Sequence, residues 1–180
     1  TSPVMTANAY QTGLALLETQ QFNTVSIDTI DNNMLPLLPA FIDRIYQNGK
    51  MAFAVLGLNP GLPFEERLNR ASAYNDYKVI VVGNTWRNSD GTLFPGEKAT
   101  ARIAGMIASI PANESITHRV ISDAAEPMEY LTNSQYESCI DHGMLVLSAN
   151  SLDQVWVDSG ITSLITLSGN DDEGWKKIKR

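Results

Sequence analysis

Two stretches of this sequence are apolar at every position. Met51-Ala52-Phe53-Ala54-Val55-Leu56 is closed by Gly57, and Val79-Ile80-Val81-Val82 is closed by Gly83. A strand with one face in water alternates apolar and polar residues, so strands without alternation are covered on both faces. Such cover comes from helices, and parallel strands joined by helical crossovers provide it. A third run, Thr24-Val25-Ser26-Ile27, is closed by Asp28.

The segments between the runs read as those helices. Thr6 is placed to cap a helix reaching about Gln20, with Tyr10, Leu14 and Leu17 on one face. Leu38, Phe41, Ile42 and Ile45 share a face of a second helix, Pro39 confines its start to near Leu38, and Gly49 suits its C-terminal cap. Residues 63–72 make a short third helix with Phe64, Leu68 and Ala71 inward. The expected fold is therefore α/β, an open and mostly parallel sheet flanked by helices. The three runs should be parallel neighbours in it.

Trp86 and Leu93-Phe94 flank Asn88-Ser89-Asp90-Gly91, which predicts a hairpin-like excursion around the Asp-Gly turn. A helix follows over about 96–110 and Pro111 ends it. Its stripe of small residues, Ala101, Ala104, Gly105 and Ala108, is expected to lie close against the sheet. In the C-terminal third, Leu145-Val146-Leu147 and Val155-Trp156-Val157 read as short strands pairing antiparallel at the sheet edge. Residues 161–167 are a candidate further strand, and Trp175 begins a last helix. At 180 residues the chain is expected to be one domain over 1–180, with a candidate sub-boundary at 111–114. Thr1 as first residue and the stop at Arg180 suggest a trimmed fragment.

The formal net charge of -7 sets the surface against phosphate backbones, so no nucleic-acid partner is expected. One basic cluster stands against this trend: Lys176, Lys177, Lys179 and Arg180. It reads either as a solvated helix face or as a contact surface for an acidic partner. No apolar run approaches the ~20 residues of a membrane span, so no membrane insertion is expected. The single cysteine, Cys139, lies in a helix-like stretch without a basic neighbour in sequence, which predicts a buried, inert thiol.

A search for chemistry finds no complete constellation. There is no G-x-G-x-x-G and no G-x-x-x-x-G-K-[ST]. Gly57-Leu58-Asn59-Pro60-Gly61 follows a strand, but Pro60 removes a backbone donor and the spacing is that of a tight turn. His118 and His142 stand alone, without a second ligand at metal spacing. Val25-Ser26-Ile27-Asp28-Thr29 looks like the aspartate strand of subtilisin-type proteases, yet His142-Gly143-Met144 is a poor match to their histidine segment and no serine loop is present. Asp28 reads as a cap or turn residue. The expectation is thus no catalytic, cofactor-binding or metal residue, no cofactor, and no enzyme activity.

One ordered series remains. Ala101-Arg102-Ile103-Ala104-Gly105-Met106-Ile107-Ala108 is followed by Ile110-Pro111-Ala112-Asn113-Glu114-Ser115-Ile116-Thr117 and by Leu131-Thr132-Asn133-Ser134. His142-Gly143-Met144-Leu145-Val146-Leu147, Asp158-Ser159-Gly160-Ile161-Thr162-Ser163-Leu164 and Trp175-Lys176-Lys177-Ile178 complete it. The series resembles the core of tail sheath proteins of contractile (myovirus-like) phages and phage-like elements. Residues 1–100 fit that pattern more loosely.

The resemblance implies a subtilisin-like α/β core used as scaffolding in a virion tail, its subunits synthesised in the bacterial host cytoplasm. It implies homo-oligomeric rings stacked around a tail tube protein that shorten on firing, and no catalytic residues. In that family terminal arms add strands to neighbouring subunits; the sequence stops before any such arm, so an armless core is expected. The basic cluster at residues 176–180 would face the tube or a neighbour. Two other readings stay open: a divergent subtilisin-like hydrolase keeping Asp28, and a small α/β binding module with its ligand near Gly57 or Gly83.

Overall fold

The three apolar runs form neighbouring strands in the computed structural model, which describes residues 6–111 and 114–166. The first half runs α1 (Ala7–Leu16), β1 (Thr24–Ser26), α2 (Leu37–Gln47), β2 (Phe53–Gly57), α3 (Phe64–Ser72) and β3 (Val79–Val82). Then come β4 (Trp86–Arg87), α4 (Gly96–Ala108), β5 (Glu126–Pro127), α5 (Asn133–Asp141), β6 (Met144–Leu145), β7 (Leu147–Ala149) and β8 (Val155–Val157). The main sheet has the order β1-β2-β3-β6, and every pairing in it is parallel.

Two-sided burial has the expected cause. Ala54, Leu56, Val79 and Val81 point into one apolar cluster, with Leu14 of α1, Phe41 and Ile42 of α2, Leu68 and Ala71 of α3, and Cys139 of α5. Val55, Ile80 and Val82 point the other way, onto Ala99, Ile103 and Ile107 of α4 and onto Val155 and Val157 of β8. Each Leu, Ile or Phe sealed in these layers contributes roughly 1.5–3 kcal/mol.

Local signals place the helix ends. Thr6 Oγ1 accepts the Ala9 amide at 3.3 Å, and a 3-10 turn, Leu17–Thr19, continues from α1. Gly49 has φ +83 and donates its N–H to Tyr46 O at 2.9 Å, the left-handed cap expected for α2. The Asp90-Gly91 turn closes as predicted: Asn88 N donates to Thr92 O and Phe94 N to Trp86 O, with Gly91 at φ +80.

Three expectations are corrected. The small stripe of α4 does not face the sheet: of its members only Ala104 is buried, while Ala101, Gly105 and Ala108 are exposed. Ala99, Ile103 and Ile107 recur at i, i+4, i+8, carry more apolar surface, and win the inner face. The run Leu145-Val146-Leu147 is not one antiparallel strand. Its first residue belongs to β6, parallel to β3, and its last to β7, antiparallel to β8. Asn84 causes the split: its Nδ2 donates to Leu147 O at 3.0 Å and its Oδ1 accepts the Leu147 amide at 2.8 Å, so a side chain replaces the next rung of the ladder.

Residues 161–166 form no strand. Ser163 N donates to Val79 O, Ser163 Oγ to Asp76 O, and the Ile165 and Thr166 amides to Asn75 Oδ1. With these backbone amides taken up by Val79 O and by Asn75 in the loop before β3, the segment forms no ladder of its own. Residue 167, Trp175 and the basic cluster Lys176, Lys177, Lys179 and Arg180 lie outside the described residues, as does the middle of 111–114.

Candidate functional site at the carboxyl ends of the strands

Open α/β sheets bind ligands beyond the carboxyl ends of their strands, where loops part and helix N-termini converge. Here that region is filled by the chain itself. β2 ends at Gly57, against the first turn of α4. Thr100 is fully buried and donates its hydroxyl to Gly96 O at 2.8 Å, and a Cβ built on Gly57 would sit 1.9 Å from Thr100 Oγ1. The following loop is a self-satisfied turn: Asn59 Oδ1 accepts the Gly61 amide at 2.9 Å, and Leu62 N donates to Asn59 O at 3.1 Å. A Cβ on Gly96 would lie 3.1 Å from Pro60 Cδ, so the loop presses onto the N-terminus of α4, where an anion would otherwise approach.

The end of β3 is bolted by an ion pair that sequence reasoning missed. Arg67 of α3 is 2% exposed. Its Nη1 donates to Gly83 O at 2.7 Å and to Glu129 Oε1 at 2.6 Å, and its Nη2 to Glu129 Oε2 at 2.7 Å. This bidentate fork joins α3, the end of β3 and the loop after β5. The signal in the sequence was a cation on the inward face, between Phe64 and Leu68. Its carboxylate partner, 62 positions away, is set by the tertiary fold alone. Gly83 itself backs onto Met144, whose Sδ would stand 2.4 Å from a Cβ there.

The side chains singled out from the sequence are not brought together. Asp28 is exposed and accepts the Tyr10 hydroxyl at 3.0 Å, pinning α1 to the end of β1. His142 follows α5 and its Nδ1 donates to Ser138 O at 2.8 Å. His118, in the left-handed region at φ 61, stacks on Trp156 with ring centroids 4.1 Å apart. Ser148 lies near a carboxylate, but its hydroxyl donates to Asp158 Oδ1 at 3.1 Å and accepts from Trp156 Nε1 at 2.7 Å. Its one acceptor is a carboxylate, a weak base that Trp156 and Ser148 use to hold the β7–β8 pair, and no histidine or amine stands among its partners to activate the hydroxyl.

Cys139 is fully buried as expected, and burial pushes its thiol up to about 12; the Arg67 guanidinium only partly opposes this. The protonated thiol is neither a nucleophile nor a ligand at neutral pH. Among the described residues no three His, Cys, Asp or Glu side chains are grouped to hold a metal, and no helix is long and apolar enough to cross a membrane. The ends of β2 and β3 are held by side chains of the same chain: Thr100 on Gly57, and Arg67 and Met144 on Gly83.

With this geometry in view, the comparisons are informative. Residues 4–163 match the family model described as the phage tail sheath protein central domain. A tail sheath protein of Clostridium phage phiCD119 is 33% identical over 90 residues, covering 50% of this chain and 25% of that protein. The crystal structure of a sheath tail protein from Desulfitobacterium hafniense superposes with a TM-score of 0.79 at 28% identity, over 96% of this chain and 38% of the other. The helical sheath of the anti-feeding prophage, seen by cryo-electron microscopy in its contracted state, shares the fold: TM-score 0.62, 14% identity, 96% of this chain and 48% of that one. In each comparison this chain spans less than half of the other protein.

Proposed function

The chain belongs to the phage tail sheath proteins, matching their central domain, and we propose that it is the rigid core of a sheath subunit in a contractile tail. The observation that carries this reading is the filled carboxyl end of the sheet. Where an α/β enzyme keeps a crevice, Arg67–Glu129, Gly57 against Thr100, and Asn84 against Leu147 lock the strands together. A part that transmits force through a contracting lattice needs such internal stiffness and no substrate site. On this reading subunits stack as rings around a tail tube protein, and contraction drives the tube through a host envelope. The core, a subtilisin-like scaffold without the triad, moves as one body and is not an enzyme.

The whole 1–180 span forms one domain in this account. Lys176, Lys177, Lys179 and Arg180 serve as a contact surface for an acidic partner. Electron micrographs of the full-length protein provide the test: rings or striated tubes are expected, and dispersed particles under all assembly conditions would refute it. Light scattering at equal concentration should find this chain mostly monomeric beside the assembling full-length protein. A fluorophosphonate serine probe should leave it unlabelled; labelling lost in Asp28→Ala would restore the hydrolase reading.

A further inference from the structure

The amino end of the sheet carries an exposed patch that the sheath reading leaves unused. Tyr46, at the end of α2, and Tyr77, just before β3, meet edge to face with centroids 6.3 Å apart, and they are 43% and 36% exposed. Lys78 lies beneath both rings, its Nζ 5.3 Å from the Tyr46 centroid and 4.6 Å from that of Tyr77. Two carboxylates hold this one ammonium: Asp76 at 2.9 Å and Asp43 at 3.2 Å. Lys78 is only 11% exposed, whereas Asp43 is 53% exposed, so the patch presents a net negative charge and two partly exposed tyrosines to solvent. Met51, 60% exposed, precedes the neighbouring strand β2.

Such a surface suits a cationic, aromatic-bearing segment, through ion pairing and cation–ring contact. The chain itself carries one. The last described residue, Thr166, is fastened beside the patch: its Oγ1 accepts from Asn75 Nδ2 at 2.6 Å, two positions before Tyr77. Beyond it the sequence reaches Trp175 and then Lys176, Lys177, Lys179 and Arg180, the last four of the chain's 13 lysines and arginines. Positions 166 to 175 span up to roughly 30 Å when extended, ample to return to a surface that starts next to the point of departure. Tethering also gives the segment a high effective concentration there.

We propose that residues 175–180 dock on the Tyr46–Tyr77–Asp43 patch of the same chain. The acidic partner of the basic cluster is then the amino end of its own sheet. Trypsin reads the docking directly, because it cuts after the residues concerned. Cleavage after Lys176, Lys177 and Lys179 in the intact chain is followed by mass spectrometry beside a synthetic peptide of residues 167–180. At low salt the chain should be cut about fivefold or more slowly than the peptide, as expected for an exposed ion pair and a cation–ring contact acting together.

The double variant Asp43→Asn/Tyr46→Ser, its fold verified by near-ultraviolet circular dichroism, should lose the protection, while Asp153→Asn on the β7–β8 turn keeps it. At about 1 M salt, where the Debye length falls to about 3 Å, the difference from the peptide should shrink. Should the double variant not fold, ring-proton shifts of Tyr46 and Tyr77 on changing Lys176, Lys177, Lys179 and Arg180 to Gln decide the matter in the otherwise native chain. Cleavage at the peptide's rate, protection that survives the double variant, or unmoved tyrosine shifts would overturn the proposal. So would protection that grows with protein concentration, which would seat the segment on a neighbouring copy.

Discussion

The two ends of the parallel sheet are both closed, but by different chemistry. At the carboxyl end the closure is made by side chains at minimal clearance: Arg67 forked on Glu129, and Thr100 and Met144 pressed onto the bare backbone of Gly57 and Gly83. At the amino end it is mostly backbone caught by short polar side chains: Asn75 Oδ1 accepts two amides from 165–166, and Ser163 exchanges hydrogen bonds with both backbone groups of Asp76. At the first end Arg67 and Thr100 are buried, while Glu129 keeps 26% of its side chain exposed. The second is wetter, and leaves Tyr46 and Tyr77 in solvent. In this fold, then, the end where ligands usually bind carries tight internal contacts, and an exposed aromatic pair lies at the opposite one.

The sharpest way to break that contrast is Arg67→Ala. It leaves Glu129 without its partner and Gly83 O without its donor, and should cost about 3–5 kcal/mol in urea unfolding. Arg67→Met should cost clearly less, because an apolar side chain fills the site and Glu129, 26% exposed, can turn to water. An Ala variant within about 1 kcal/mol of the parent would show that the carboxyl end is not bolted there.

Cys139 reports on the same end through pH. Burial holds its folded thiol at about 12, above the ordinary 9.0. The stability tied to the protonated thiol is complete below pH 9 and is lost as pH rises towards 12, because only the unfolded chain releases the proton easily. The unfolding constant should rise by up to tenfold per pH unit over this range, and Cys139→Ala should flatten the pH 9–10 slope. Above pH 10 the Tyr74 and Tyr136 phenols, both pushed up by burial, add the same sign. A slope unchanged by Cys139→Ala would refute this.

Two glycines separate the ends more finely. Gly57→Ala should cost about 1–3 kcal/mol, and Thr100→Ala in the same molecule should recover much of it, because the obstacle is one hydroxyl. Gly143→Ala should cost as much without any such rescue. It has φ +65 and would face the Ser163 backbone at 2.7–2.8 Å, which trimming a side chain cannot relieve. The smallest effect is Asn75→Ala. It removes the clasp on residues 165–166, and with that site exposed it should cost about 1 kcal/mol by thermal melting. A loss near that of Arg67→Ala would erase the distinction between the two ends.

Some of this was written locally and could be read. Unbroken apolar runs at 51–56 and 79–82 required cover on both faces, and so fixed the parallel strands and the layers of helix around them. Thr6, Gly49 and Asp90-Gly91 act within a few residues of themselves, and each sits where its own stereochemistry demands. The ordered series from Ala101 onward pointed to the sheath family, and its central-domain match bears that out.

What could not be read depends on partners distant in sequence. The small stripe of α4 was visible, but the side it faces was settled by competition with Ile103 and Ile107 for the core. Leu145-Val146-Leu147 has the composition of one strand; only Asn84, reaching across 63 positions, divides it between two sheets. A charged residue on an inward face could be noticed at Arg67, yet whether it is an error, a site or a bolt depends on whether a carboxylate arrives. Glu129 arrives because the chain folds back, and that contact exists only in three dimensions. Periodicity and turn chemistry are local energies and stay legible in a sequence; pairing across the fold is a property of the packed whole.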